Sequence, residues 1–153
     1  MKRTTTWVAA VIFALCLAAP LQARTANDTE KEAIETLNAN ATKYVSQGQW
    51  DAFSNNLVSA LKSEHDGLKA AAMQMIIRYN NQLEVQDGVF DVVTIYRTHE
   101  DMSMRRMALV TLGQMESDWA IGFLERADQF EQSPMLKQTL RAVVAQYHAT
   151  HTS

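Results

Sequence analysis

Helix breakers are scarce in this chain, and their scarcity constrains the fold more than any other feature. The 153 residues contain five glycines and two prolines, and of the prolines only Pro134 lies beyond residue 23. Glycine and proline mark turns and interrupt helices. Because the chain has so few of these residues, its composition favours helices joined by short turns. No segment alternates apolar and polar residues over a useful length, and we therefore expect no β-sheet.

Seven segments carry apolar side chains at the spacing of an amphipathic helix. They span about 28–46, 50–62, 66–81, 88–98, 102–115, 119–129 and 134–149. In the fourth segment the apolar residues Phe90, Val93 and Tyr96 are expected to face the core. Five residues are suited to accept hydrogen bonds from free backbone N–H groups at helix starts, namely Asp66, Asp87, Asp101, Asp118 and Ser133. A chain of this length and pattern predicts one all-α domain with one core.

The helical segments also repeat. The third, fifth and seventh align with one another, so that Leu68 falls on Met104 with a shift of 36 residues, and Met104 on Leu136 with a shift of 32. The fourth and sixth align with a shift of 31, which places Asp87 on Asp118. A helix-pair unit of about 30 to 40 residues is typical of α-solenoids, in which neighbouring pairs bury one another. A plain helical bundle with chance matches is the alternative.

Residues 65–149 resemble degenerate HEAT or HEAT-like repeats. The first helices of the units read HDGLKAAAMQMIIRY, EDMSMRRMALVTLGQM and SPMLKQTLRAVVAQY, and the second helices read DGVFDVV and DWAIGFL. The family often has an aspartate between paired helices, which Asp87 and Asp118 match. The resemblance implies a short right-handed α-solenoid of stacked antiparallel helix pairs, about seven helices in all, that presents a curved surface to a partner. It points to no particular reaction, because HEAT-like repeats serve many roles.

The first 23 residues have the three parts of a secretory signal peptide. Lys2 and Arg3 form a basic start, an uncharged apolar run follows from Trp7 to Ala19, and Ala23 is a small residue at a cleavage position. The apolar run is too short for a stable membrane anchor, because a spanning helix needs about 20 apolar residues. We therefore predict a signal peptide at 1–23, a single domain at 24–153, and a periplasmic or extracellular location without stable membrane insertion.

The charge of the predicted processed chain limits the classes of partner that it is expected to bind. Loss of Lys2 and Arg3 leaves 12 of the 14 basic side chains against 17 acidic ones, a net charge of −5. This balance disfavours nucleic acid, which needs a basic stripe. Cys16, the one cysteine, lies in the predicted signal, so the processed chain would have no disulfide and no thiolate metal site.

No sequence motif indicates an enzyme or a cofactor. The chain has no G-x-S-x-G elbow, no H-E-x-x-H pair and no glycine-rich phosphate loop. The methionines offer a different chemistry, since Met73-Gln74-Met75 and Met102-Ser103-Met104 have the M-x-M spacing of some exported copper(I) binders, and thioethers suit that soft ion. Core packing is the competing interpretation, because residues two apart on a helix point to different faces.

We therefore expect an exported, non-enzymatic helical repeat module that binds another protein, as a monomer or weak homodimer. A soft-metal binder is the alternative function. If the second helices line the inner curve, the partner would meet the polar residues outside their apolar stripes. These candidates are Asp91, Thr94, Arg97, Glu125 and Asp128.

Overall fold

The computed structural model describes residues 26–151, and this part of the chain is all-α, with no strand. Its seven α-helices are α1 (Ala26–Gln47), α2 (Trp50–Leu61), α3 (Asp66–Tyr79), α4 (Val89–Thr98), α5 (Met102–Gln114), α6 (Asp118–Ala127) and α7 (Pro134–His151). Two 3-10 turns, Asn80–Gln82 and Gln86–Gly88, connect α3 to α4. The predicted helical segments are confirmed. The predicted signal peptide, 1–23, lies outside the described residues.

The helices pack in chain order. The odd-numbered helices contact one another successively, α1 against α3, α3 against α5 and α5 against α7. Each even-numbered helix packs against the odd-numbered helix that follows it: α2 on α3, α4 on α5 and α6 on α7. Helix α5 therefore lies at the centre of the second half of the fold and supports both α4 and α6.

The core is continuous across all seven helices and is mostly aliphatic. Its largest fully buried apolar side chains are Phe53, Leu57, Leu61, Met73, Ile76, Val92, Leu109, Leu112, Leu124, Leu136 and Leu140. Met73, the first methionine of the Met73-Gln74-Met75 pair, is part of this core. It is completely buried and cannot present its sulfur to solvent.

Glycine allows a close approach between α5 and α7. A Cβ built on Gly113 would lie 2.5 Å from Cγ1 of Val143 on α7, so the two helices pack with no side chain at position 113. A second glycine, Gly48, follows the last residue of α1 with a positive φ of 64°, a conformation typical of the residue that ends a helix.

Two of the five predicted helix caps are confirmed. Asp101 accepts hydrogen bonds from Ser103 N and Met104 N at the start of α5, and Ser133 accepts one from Leu136 N at the start of α7. The other three predictions are wrong, because the helices begin at neighbouring residues: the N-cap positions of α3, α4 and α6 are His65, Gly88 and Ser117. Asp66, Asp87 and Asp118 therefore do not hold the cap position.

The prediction that Phe90 faces the core is also wrong, since its side chain is 65 % exposed. The predictions for Val93 and Tyr96 are confirmed, and α4 also buries Val89, Val92 and Ile95. Val89, Val92, Val93 and Tyr96 follow the spacing i, i+3, i+4, i+7 that matches 3.6 residues per turn, whereas residues three apart drift steadily around the helix. Phe90 is thereby turned out of the core.

Candidate functional site

Helices α4 and α6 carry the same two surface residue types at the same positions. Each helix has ten residues, with an aromatic side chain in second place (Phe90, Trp119) and an arginine in ninth place (Arg97, Arg126). Residues seven apart lie on one face, about 10 Å from each other along the helix axis. Each helix therefore presents an aromatic ring near its start and a guanidinium near its end.

The aromatic residues meet at the surface. The ring centroids of Phe90 and Trp119 lie 4.6 Å apart, and Trp119 stacks on Phe123 with centroids 5.8 Å apart and planes 10° apart. Phe90 is 65 % and Trp119 46 % exposed, while Phe123 is half-buried. These three residues form the aromatic cluster. Aromatic side chains grouped at a surface are typical of an interaction site, because they bury much area on binding at little cost in conformational entropy.

A cleft of about 920 Å³ adjoins the aromatic cluster and shares Phe123 with it. It lies where α4 and α6 end and where α5 and α7 begin. We name it the arginine cleft; its lining residues are Tyr96, Arg97, Arg105, Phe123, Arg126, Ala127, Phe130, Glu131, Gln132 and Ser133. Phe130, 71 % exposed, adds another aromatic wall.

A buried carboxylate organises one side of this cleft. The Glu131 side chain is 5 % exposed, and its Oε2 accepts hydrogen bonds from the Tyr96 hydroxyl at 2.8 Å and from Arg105 Nη2 at 3.3 Å. Its Oε1 accepts from Ser133 N at 2.9 Å. Arg105 also donates through Nε to the Tyr96 carbonyl at 2.8 Å, and its guanidinium carbon lies 5.8 Å from the Tyr96 ring centre. The network fixes the loop before α7 against α4 and α5.

These contacts hold Glu131 and Tyr96 each in one charge state near neutral pH. Burial raises the pKa of Glu131, but the hydrogen bonds from Ser133 and Tyr96 and the charge of Arg105 outweigh burial and lower it below its ordinary value. Burial and the hydrogen bond to Glu131 raise the pKa of the Tyr96 phenol. Glu131 is thus an anion paired with Arg105, and Tyr96 is a neutral donor.

Two guanidinium groups of the cleft are left without an acidic partner. Arg97 and Arg126 are exposed, and neither forms an ion pair with a side chain of residues 26–151. Arg126 lies against its own helix one turn back, since a Cβ at Gly122 would be 3.4 Å from its Nη1. With the Arg105 charge balanced by Glu131, the two free guanidinium groups leave a net positive charge on the cleft.

The structure separates the five residues that the sequence singled out. Arg97 lines the cleft, and the exposed Thr94 lies between Phe90 and Arg97 on the same face of α4. Asp91, the next residue along α4 after Phe90, is half-buried and does not line the cleft.

Glu125 and Asp128 face α7 instead. Glu125 Oε1 lies 2.7 Å from His148 Nε2, and Asp128 accepts from Arg141 Nε at 2.8 Å and from its Nη2 at 3.0 Å. The side chain of Asp128 is 27 % exposed. These two acids join α6 to α7 and do not extend the arginine cleft.

The sequence contains a signal that would have found the other cleft residues. The segments FDVVTIYR and WAIGFLER each place an arginine seven residues after an aromatic residue, within helices of equal length. Trp119 and Arg126 could be found by that spacing. Phe130 and Glu131 could not, because they reach the site from the loop before α7.

The methionines divide between the core and a second surface. Met73 and Met104 are buried, so neither M-x-M pair has both sulfurs at the surface. Met102, Met107 and Met135 line a shallow pocket of about 380 Å³ together with Ile77, Ser103, Arg106 and Val110. Within residues 26–151, histidine, cysteine, aspartate and glutamate form no group of three that could hold a metal ion.

Neither a membrane-spanning helix in the described residues nor a similar known protein adds to these observations. No helix in the described part of the chain is long and apolar enough to cross a membrane. No protein-family model, no curated protein and no solved structure matches the chain.

Proposed function

We propose that this chain is an exported, non-enzymatic α-helical repeat module that binds another protein through the face formed by α4 and α6. The observation that carries the proposal is the aromatic cluster, in which Phe90 and Trp119 are exposed and in contact with each other. Tryptophan and arginine are enriched among the residues that dominate binding energy at protein interfaces. Here Trp119 and Arg126 lie on α6, and α4, which carries Arg97, packs on the same support, α5.

A HEAT-like arrangement explains why these two helices share a face. In the proposed short right-handed solenoid, α3, α5 and α7 are first helices, and α4 and α6 are the second helices of consecutive units. The successive contacts of α3 with α5 and of α5 with α7 support the row of first helices, whereas α4 packs mainly on α5 rather than on α3, its partner in the proposed unit. Second helices of stacked units lie side by side, so equivalent positions on α4 and α6 form a row that a single partner can contact.

The chemistry of the cleft supports binding rather than catalysis. Glu131 is ionised and paired and Tyr96 holds its proton, so neither exchanges a proton readily near neutral pH. The basic start, apolar run and small residue of positions 1–23 support export, and the partner would then lie in the periplasm or outside the cell.

Affinity capture from the native envelope extract tests the proposal. The wild-type protein is compared with F90S/W119S, which removes the exposed rings, and with the matched control D91A/E125A, which changes two residues of the same helices outside the cluster. We expect wild type and control to retain the same partner, identified by mass spectrometry, and F90S/W119S to lose it. Equal recovery by all three proteins, or none by the wild type, would contradict the proposal.

Soft-metal binding is the second candidate function, and one observation favours it. Met102, Met107 and Met135 line one pocket, and thioether sulfurs suit copper(I). Arg106 lines the same pocket and disfavours copper(I) binding there, because its positive charge repels the ion. Native mass spectrometry with copper(I) at micromolar concentration tests this function, with M102L/M135L as the comparison. Retention by the wild type and loss in the variant would support it, whereas retention by neither would remove it.

A further inference from the structure

We propose that the arginine cleft receives an acidic peptide segment of the partner, in which a large apolar side chain precedes a pair of carboxylates by three residues along an extended chain. The apolar side chain lies on the aromatic cluster, and the carboxylates pair with Arg97 and Arg126. This inference rests on the proposed function and specifies the partner's chemistry.

The spacing of the site sets the length of the segment. The second and ninth residues of α4, and likewise of α6, are separated by about 10 Å along the helix axis. An extended peptide advances about 3.3 Å per residue, so three residues cover that distance. Phe123 belongs to both the cluster and the cleft, and it provides a continuous apolar path between the two ends.

Charge complementarity selects the anion. The whole chain has a net charge of −3, yet the arginine cleft carries two guanidinium groups without an acidic partner among the described residues. Arginine binds carboxylates through two parallel hydrogen bonds, which adds both energy and orientation. An unpaired Arg97 and an unpaired Arg126 on adjacent helices therefore fit two neighbouring carboxylates.

The surroundings disfavour a longer polyanion. Nucleic acid is bound along an extended basic stripe, and its affinity grows with each phosphate neutralised. Here the positive region ends at Glu131 on one side, and Asp128 and Glu125 on α6 are acidic. A short acidic peptide with an adjoining apolar residue matches the limited size of the positive region and the exposed rings beside it.

Fluorescence polarisation with labelled synthetic peptides tests the inference. The probe peptide has a tryptophan followed by glutamates three and four positions later. In one comparison peptide glutamines replace the glutamates, and in another alanine replaces the tryptophan. We expect each replacement to weaken binding by about tenfold or more, since charged hydrogen bonds and a buried aromatic ring each contribute at that level. Equal binding of the glutamate and glutamine peptides would overturn the inference.

Matched charge reversals locate the binding site. In R97E/R126E the cleft arginines are reversed, and in R78E/R106E two exposed arginines on α3 and α5, outside the cleft, are reversed. We expect the first variant to lose the probe peptide and the second to bind it within about twofold of wild type, since exposed distant charges are screened. The milder R97Q/R126Q variant gives the same result if R97E/R126E does not fold. A similar loss in both reversals would overturn the cleft assignment.

Capture from the envelope extract separates this inference from the function beneath it. If R97E/R126E retains the wild-type partner while F90S/W119S loses it, the binding function stands and the acidic-segment inference is overturned. If the wild type captures no partner, the proposed function itself fails. Recovery of a second copy of this chain alone would overturn both, because the face would then be an interface between identical copies.

Discussion

Substituting Gly113 by alanine tests the packing of α5 on α7, on which the stacked arrangement depends. The new methyl group would lie 2.5 Å from Cγ1 of Val143. Two carbon atoms in contact prefer about 3.5–4.0 Å, so the helices or the Val143 side chain must give way by about 1 Å. A β-branched valine in a helix has one strongly preferred rotamer and gives way poorly.

Two opposing effects determine the magnitude. Replacing glycine by alanine within a helix stabilises it by up to about 1 kcal/mol. Forcing a methyl group into a packed contact costs about 1–3 kcal/mol. We therefore expect Gly113→Ala to lower the free energy of unfolding by about 1 kcal/mol in the wild-type background. In a Val143→Ala background the clash is gone, since the remaining Cβ is at the ordinary distance of 3.6 Å, and the same substitution should raise the free energy of unfolding.

Urea unfolding of the four proteins, followed by circular dichroism, measures this sign reversal. The wild type, both single variants and the double variant form a double-mutant cycle, and we expect a coupling energy of about 2 kcal/mol between positions 113 and 143. If Gly113→Ala stabilises both backgrounds equally, the close approach of α5 to α7 is incorrect and the reasoning is refuted.

Three further predictions concern single residues. Folding lowers the pKa of Glu131, so the ionised side chain contributes its full stabilisation above the ordinary carboxyl pKa and loses it as the pH falls towards the lowered value. When the free energy of unfolding is measured at decreasing pH, it should therefore fall less steeply in Glu131→Gln than in the wild type. Glu116 has a φ of 49°, so Glu116→Gly should raise the free energy of unfolding by about 0.5–1 kcal/mol, whereas Glu116→Ala should not. Asp101→Ala should lower the melting temperature by removing the cap of α5, while Asp87→Ala should leave it unchanged, and equal effects would contradict the cap assignment.

The helices could be predicted from the sequence because apolar spacing and scarce breakers act locally. The segment predicted at about 102–115 corresponds to α5, Met102–Gln114, and Asp101 is its N-cap. Caps were harder where two candidates stand side by side. Ser117 and Asp118 can both accept from free N–H groups, and Ser117 holds the position while Asp118 accepts a hydrogen bond from the Tyr147 hydroxyl at 2.7 Å. Which of the two residues caps the helix depends on the packing of α7, and the local sequence does not indicate it.

The residues of the proposed binding face were only partly predictable for a related reason. Arg97 was predicted to lie outside the apolar stripe of α4 and is exposed, but Phe90 was assigned to the core because an aromatic residue at near-helical spacing is usually buried. Whether α4 buries Phe90 or Val89 depends on its rotation against α5. Similarly, Glu125 and Asp128 were chosen as polar residues outside the apolar stripe of α6, and their pairing with His148 and Arg141 follows from where α7 packs.

Site-specific photocrosslinking in intact cells tests the central claim most directly. A photoreactive phenylalanine analogue is placed at Trp119 in one variant, and at Glu125, on the side of the same helix that faces α7, in another. We predict that the analogue at position 119 crosslinks a distinct protein, that the crosslink is lost when Phe90 is replaced by serine, and that position 125 gives no such product. Crosslinking from position 125 alone, or equally from both positions, would contradict binding through the aromatic face of α4 and α6.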